Sequence, residues 1–239
     1  MQGNKTERRG GWIGAAAALA LMIFAVTGVV RWIAGDGPGM ARAMLKYAPP
    51  ASAGLPESEY PGVAEMLTGY LTGGRPAFQY TWQTESGATV QAFHDYEAAH
   101  MADCRALIML DTGVCVACLG IAAALTGGYA MFSRKRGRTA WIPFLRGGLV
   151  AFWGLTGVLA AGVLWACIDF DSLFLLFHRL AFRNDLWLLN PRTDLLIRLM
   201  PESLFVDLGV RGAGIAAAAL AATGIGMHAG LRFATQHCR

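Results

Sequence analysis

The chain has 239 residues, of which 55% are hydrophobic and only 15% charged, with 20 Lys and Arg against 16 Asp and Glu for a net charge of +4. A composition this apolar excludes a disordered chain and fits a water-soluble domain poorly. The positive charge lies in short clusters with no basic stripe interleaved with aromatics, which argues against a nucleic-acid partner.

The first element is an apolar run from about Trp12 to Val30, preceded by Lys5, Arg8 and Arg9. It matches the roughly 20 residues of helix that cross a hydrocarbon core, and it exceeds the roughly 7 to 15 of a signal-peptide core. Ala41-Arg42-Ala43 nevertheless imitates a cleavage site. The Gly/Pro/Ala-rich stretch Gly35 to Leu55 reads as loop. Ser58 to Leu71 reads as a short helix starting near Pro61, where proline suits a first turn. Phe78 to Trp82 and Ala88 to Phe93 alternate around Glu85-Ser86-Gly87, the pattern of a small hairpin. From His94 or Asp95 a helix runs without a breaker into a second apolar run, Leu107 to Phe132.

A basic loop, Arg134-Lys135-Arg136-Gly137-Arg138, leads to a third apolar run at Trp141 to Ile168. Phe170, Leu173, Phe174, Phe177 and Ala181 then follow helical spacing behind Asp169 and Asp171, as in a helix lying in a membrane interface. Trp187 to Leu189, then Pro191 and Leu195 to Ile197, read as an aromatic-anchored loop and a short helix before the last run, Leu204 to Met227. Gly120, Gly127, Gly128, Gly147, Gly148, Gly154 and Gly157 suit close helix packing in lipid.

Lys5, Arg8, Arg9, Arg134, Lys135, Arg136, Arg138, Arg232 and Arg239 face one acid, Glu7, on one side of these spans. The positive-inside rule makes both termini and the Arg134 loop cytoplasmic and turns 31–106 and 169–203 outward. The expected fold is mostly α: a single membrane domain over 1–239, with spans at about 12–30, 107–132, 141–168 and 204–227. These form a four-transmembrane-helix bundle carrying a small extracytoplasmic α+β cap of a short β-hairpin and interfacial helices. Segments this short cannot bury a large core, so the cap reads as part of the membrane domain.

Two histidines stand at the outer ends of the spans. Glu97, His100 and Asp103 are spaced by three and share one side of a helix, and His178 follows the third span. A carboxylate one turn from an imidazole can fix its tautomer and raise its basicity, and histidine titrates near neutral pH. Taken alone, Glu97 with His100 reads as a surface ion pair, and His178 as an interfacial anchor, more readily than as catalytic groups. His94, His228 and His237 read as structural. Cys115 and Cys118 have C-x-x-C spacing but lie inside an apolar helix, so they read as packing residues; Cys104 and Cys167 share the outer boundary and could form a disulfide. Asp111 lies within a span, where an acid usually faces the bundle interior, while Arg31 and Arg146 snorkel from span ends.

Glu97-x-x-His100-Met101-x-Asp103, followed by Phe177-His178-x-x-x-Phe182, Trp187-x-x-x-Pro191, Asp194-x-Leu196-Ile197 and Pro201-Glu202-x-x-Phe205-x-Asp207, resembles the lipoprotein intramolecular transacylase family of bacterial four-span membrane proteins. The likeness covers most of the outer face from Phe93 to Asp207 and the order of spans. Cys104 departs from it, standing where the family has an aliphatic residue. The resemblance implies an acyltransferase in the bacterial cytoplasmic membrane. Its substrate would be a lipoprotein whose amino-terminal cysteine bears a diacylglyceryl group, and the sn-2 acyl chain would pass to the α-amino group of that cysteine to give a lyso-form product. It implies His100 and His178 as catalytic residues with no cofactor and no metal, and membrane lipids as surroundings. Glu97, Asp103, Arg179, Asn184, Asp185 and Asp194 are the candidate supporting residues. Two other readings stay open: a metal-dependent membrane hydrolase using Glu97, His100, Asp103 and His178 as ligands, and a non-catalytic assembly protein.

Overall fold

The structure, a computed structural model, describes residues 2–84 and 86–236, with side chains from Lys5 onward. Glu85 of the expected turn, His237 and Arg239 lie outside the described residues. Four helices are long and apolar enough to cross a membrane: α1 (Gln2–Gly35), α5 (Asp95–Ser133), α6 (Trp141–Ile168) and α9 (Glu202–Gln236). All but α6 extend well past the apolar runs within them. The 39 residues of α5 span about 58 Å at 1.5 Å per residue, roughly twice a hydrocarbon core.

The chain divides into two compact units, one of residues 1–29, 112–165 and 213–239, the other of 30–111 and 166–212. In the first, apolar side chains point outward: Val116, Val150 and Val158 are 67%, 76% and 68% exposed. Such exposure is costly in water and costs nothing in lipid. Contact between α1 and α6 rests on backbone proximity at Gly14 and Gly147. A Cβ on Gly14 would meet the carbonyl of Phe144, and one on Gly147 the carbonyl of Gly11. Around this crossing Ala17, Tyr129 and Phe144 form one buried cluster, and Met22, Phe152 and Leu220 another. The glycine expectation needs correction. Gly120, Gly127, Gly128, Gly154 and Gly157 have no neighbour within 4 Å of where a Cβ would stand, whereas Gly147 and Gly148 meet partners. The glycines that complete the crossing, Gly11 and Gly14, sit in the first span.

The second unit holds the main core. The stretch Gly35 to Leu55 is not loop: it forms α2 (Gly37–Tyr47) and a short turn of helix, α3 (Pro50–Ala53). Asp36 caps α2, its carboxylate accepting from the Gly39 amide at 2.9 Å, and Pro38 occupies the first turn, where no N–H is needed. The glycines and prolines that suggested a loop are thus the start signal of a helix whose Met40, Ala43 and Met44 are buried with α4 (Tyr60–Leu71) in one core. Pro61 lies in the first turn of α4, as its spacing predicts. The hairpin is shorter than expected: β1 (Thr81–Gln83) pairs antiparallel with β2 (Thr89–Gln91), with Trp82 opposite Val90. Gly87, at φ +82°, supplies the left-handed turn residue.

Helix α7 (Phe170–Ala181) matches the interfacial segment and is capped by Asp169, which accepts from the Ser172 amide. The short α8 (Leu195–Leu199) adds Leu195, Leu196 and Leu199 to the core, and Leu204 of α9 closes it. Replacing Gly147 with Leu should lower the apparent Tm of the detergent-solubilised protein by several degrees or prevent its recovery, whereas Gly157→Leu should leave it unchanged; thermal unfolding by tryptophan fluorescence checks both.

Candidate active site

Five residues into α5, the His100 ring packs edge to face with Phe182 at 5.1 Å between centroids. From α7, His178 faces it with ring centroids 6.2 Å apart and planes inclined by 29°. Phe174 and Trp187 pack on His178 at 4.2 and 5.1 Å. Both imidazoles are more than nine-tenths buried. Beside them lies a cavity of about 460 Å³ walled by Leu107, Ile108, Phe170, Leu189, Ile197 and Phe205, with His100, Cys104 and His178 on its surface. Its size and apolar wall suit a hydrocarbon chain, and its few polar atoms are concentrated in the two rings and the thiol.

The two rings are held differently. His178 Nδ1 lies 2.8 Å from the Phe174 carbonyl one turn back. His100 Nε2 lies 3.5 Å from Cys104 Sγ, while its Nδ1 is buried without a hydrogen-bond partner. His100 stands ahead of the apolar run that begins at Leu107. Burial and the facing His178 ring hold it below the ordinary histidine value, against a smaller opposing effect of Asp103, so it is neutral at pH 7. Burial pushes the Cys104 thiol up to about 12, so it is a thiol and not a thiolate. Cys104, Cys115, Cys118 and Cys167 are all free, and the Cys104–Cys167 disulfide does not form.

The candidate supporting residues divide sharply. Glu97 has no exposed surface, and its two oxygens accept from the backbone amides of His94 at 2.7 Å and Leu196 at 2.8 Å, not from the His100 ring. It reaches back to the residue ahead of its own helix, as in a capping box, and in the same stroke ties α5 to α8. Asp103 accepts from the Asn184 side chain at 2.9 Å, which fixes the loop after α7 to α5. Asp194, 2% exposed, accepts from the hydroxyls of Tyr96 and Thr193 and from the Asn190 amide. Burial works against its charge, but these bonds and the nearby His94 outweigh it and hold the carboxyl below its usual value. Arg179 and Asp185 are exposed. The residue-type pattern foreshadowed neither the Phe174 carbonyl nor the sulfur contact of Cys104. Both lie four residues from a histidine on its own helix, and that spacing is the signal that could have found them.

The four residues proposed as metal ligands are not gathered, and no group of three or more His, Cys, Asp or Glu that could hold a metal occurs among the described residues. The metal-hydrolase reading is not favoured.

The family model described as lipoprotein intramolecular transacylase Lit matches residues 15–205 of the chain. The chain belongs to that family. It is therefore a membrane-integral acyltransferase. Its fold is shared with in meso structures of the lipoprotein intramolecular transacylase Lit from Bacillus cereus. One is 19% identical with a TM-score of 0.65 and covers 99% of each chain. Two others, each with one histidine replaced, by arginine or by alanine, are 20% identical with TM-scores of 0.62 and 0.60 and cover 100% of this chain and 95% and 97% of theirs. No curated protein matches the chain in sequence.

For this transacylase Glu97 is a fastener between segments and not a partner of His100. Glu97→Ala strands two amides and should destabilise the protein by about 3 kcal/mol, read as a fall in Tm, while Glu97→Gln, which keeps one acceptor oxygen, should lose less. An unchanged Tm for Glu97→Ala would contradict this role.

Proposed function

We propose that this transacylase moves the sn-2 acyl chain of a diacylglyceryl-modified amino-terminal cysteine onto the α-amino group of that same cysteine, giving an N-acylated lyso-form lipoprotein. The observation that carries the reading is a pair of buried histidines, 6.2 Å apart between centroids, against an apolar cavity. One end of the site receives a hydrocarbon chain, and the other offers ring nitrogens where an ester carbonyl and an amine meet. Donor and acceptor belong to one molecule, so the protein's tasks are to fold the headgroup into attack geometry and to manage protons. His100 and His178 are the catalytic residues of this reading. Asn184 and Asp103, with Glu97 and Asp194, hold the segments that carry them.

The membrane is the bacterial cytoplasmic membrane, with both termini and the Arg134 to Arg138 loop on the cytoplasmic side and the histidines at the extracytoplasmic face. The supporting pattern is the clustering of basic residues at those three places. The surrounding lipid supplies the medium through which a lipid-anchored substrate arrives.

Mass spectrometry of a reporter lipoprotein, made with and without this chain in a host lacking other N-acylating enzymes, should show conversion of the diacylglyceryl form to the N-acyl monoacyl form. Loss of one acyl chain without N-acylation would make the protein a lipase and sink the reading. His100→Ala and His178→Ala, at unchanged protein level, should each slow conversion by about 10²- to 10⁴-fold; full activity in both would remove the two histidines from the chemistry.

The pH dependence has a definite sign. His100 is held below its ordinary value of about 6.5, so it remains neutral through pH 7 and charges only in acid. The substrate's α-amine protonates below about 8, so the rate of N-acylation, followed between pH 4.5 and 8, should rise with pH, and His100, neutral near pH 7, should add its own loss only in acid. A rate that rises as the pH falls would contradict a neutral His100 as a working group.

A further inference from the structure

We propose that a groove between α1 and α5, at the end of the spans where the chain begins, seats an anionic glycerophospholipid, with its phosphate between Arg9 and Arg136 and one acyl chain laid along Gly128. The groove lies wholly within the first compact unit, away from the histidines, and its occupation does not depend on the reaction proposed above.

Helical spacing builds the two walls. Arg9 and Ile13 stand one turn apart on α1, while Leu125, Gly128 and Phe132 are spaced by three and four on α5, with Arg136 just past its end; together they border a volume of about 520 Å³. The charges stand at the mouth, and the α5 wall runs inward from Phe132 to Leu125 for about 10 Å at 1.5 Å per residue. A lipid has the same order, headgroup outermost and hydrocarbon beneath. Glycine makes the room: no atom lies within 4 Å of where a Cβ on Gly128 would stand. Ile13 and Leu125 also pack against the buried cluster of Ala17, Tyr129 and Phe144, so a chain laid here extends the contact in which α1, α5 and α6 meet.

Charge selects the headgroup. The Arg136 guanidinium lies over the Phe132 ring, 4.0 Å from its centroid, which holds a planar fork of donors at the mouth. No acidic side chain lines the groove, and among the described residues no ion pair engages Arg9 or Arg136. Two exposed guanidinium groups without a carboxylate, beside an open apolar channel, are complementary to a phosphodiester that carries hydrocarbon. They fit a zwitterionic lipid less well, because its ammonium adds positive charge to a site that already has two.

Native mass spectrometry of the delipidated full-length protein, titrated with phosphatidylglycerol or phosphatidylcholine, reads the site directly. The wild type should retain one phosphatidylglycerol in preference to phosphatidylcholine. Arg9→Gln with Arg136→Gln should weaken that binding by tenfold or more, at about fivefold for each arginine. Arg134→Gln with Lys135→Gln removes the same charge outside the groove and should leave it nearly unchanged; an equal loss in both pairs means general surface attraction and overturns the proposal. Gly128→Leu fills the groove without meeting any neighbour, so it should abolish retention while keeping the lipid-free Tm. Retention unchanged in Gly128→Leu overturns the proposal. Two measurements on the wild type alone decide the case if the variants cannot be recovered. Phosphatidylglycerol should raise Tm by several degrees more than phosphatidylcholine does, and inorganic phosphate in tenfold excess should not displace it. Equal response to the two lipids, displacement by phosphate alone, or a dimer that takes up no lipid would each overturn it.

Discussion

A carboxylate with no exposed surface governs the geometry of the site. Glu97 spans 99 positions of sequence to accept from the Leu196 amide while also accepting from His94 at the start of its own helix. A buried charge is tolerable only with such partners, so α5 and α8 are held to one spacing. Everything carried on those elements inherits it: His100 one turn beyond Glu97, and Leu195, Leu196 and Leu199 in the core. Asp194 adds a second fastening between the same segments through Tyr96. Asp103 adds a third, to the loop after α7. Three acids spaced along the sequence as if to serve a histidine serve instead to bring chain segments together around it.

The rings themselves are solvated by aromatics. His178 touches Phe174, Phe177, Phe182 and Trp187 within 5.4 Å between centroids. Such walls provide dispersion contacts and remove water, and around His100 this burial penalises the charged imidazole. The same wall continues into the cavity, so the apolar surface that buries the rings is continuous with the one that lines the cavity.

Much of this was legible in the residues. Four apolar runs, the Pro61 helix start, the hairpin around Gly87 and the acids opening α7 all rest on local chemistry, and the structure follows them. Pairing the two histidine motifs depended on a linear pattern spread over more than a hundred residues. What could not be read was tertiary. Asp36-Gly37-Pro38-Gly39 looks like a loop until the Asp36 cap and the burial of Met40, Ala43 and Met44 are seen together. Glycine content marked the spans as close-packing, but which glycines meet a neighbour depends on where helices cross, and Gly14 and Gly147 carry that contact. The spacing of Glu97 to His100 suggested an ion pair, yet a side chain at that distance is equally able to turn back on its own helix start, and it does.

The hydrocarbon lining of the cavity bears on why such an enzyme is a transferase at all. An activated ester is open to any nucleophile that reaches it, and in the cell water is by far the most abundant. With Leu107, Ile108, Phe170, Leu189, Ile197 and Phe205 lining the chamber, water has few polar atoms to hold it near the carbonyl. On the proposed reading the tethered amine is then the nucleophile in place, and the hydrocarbon surroundings favour it over water.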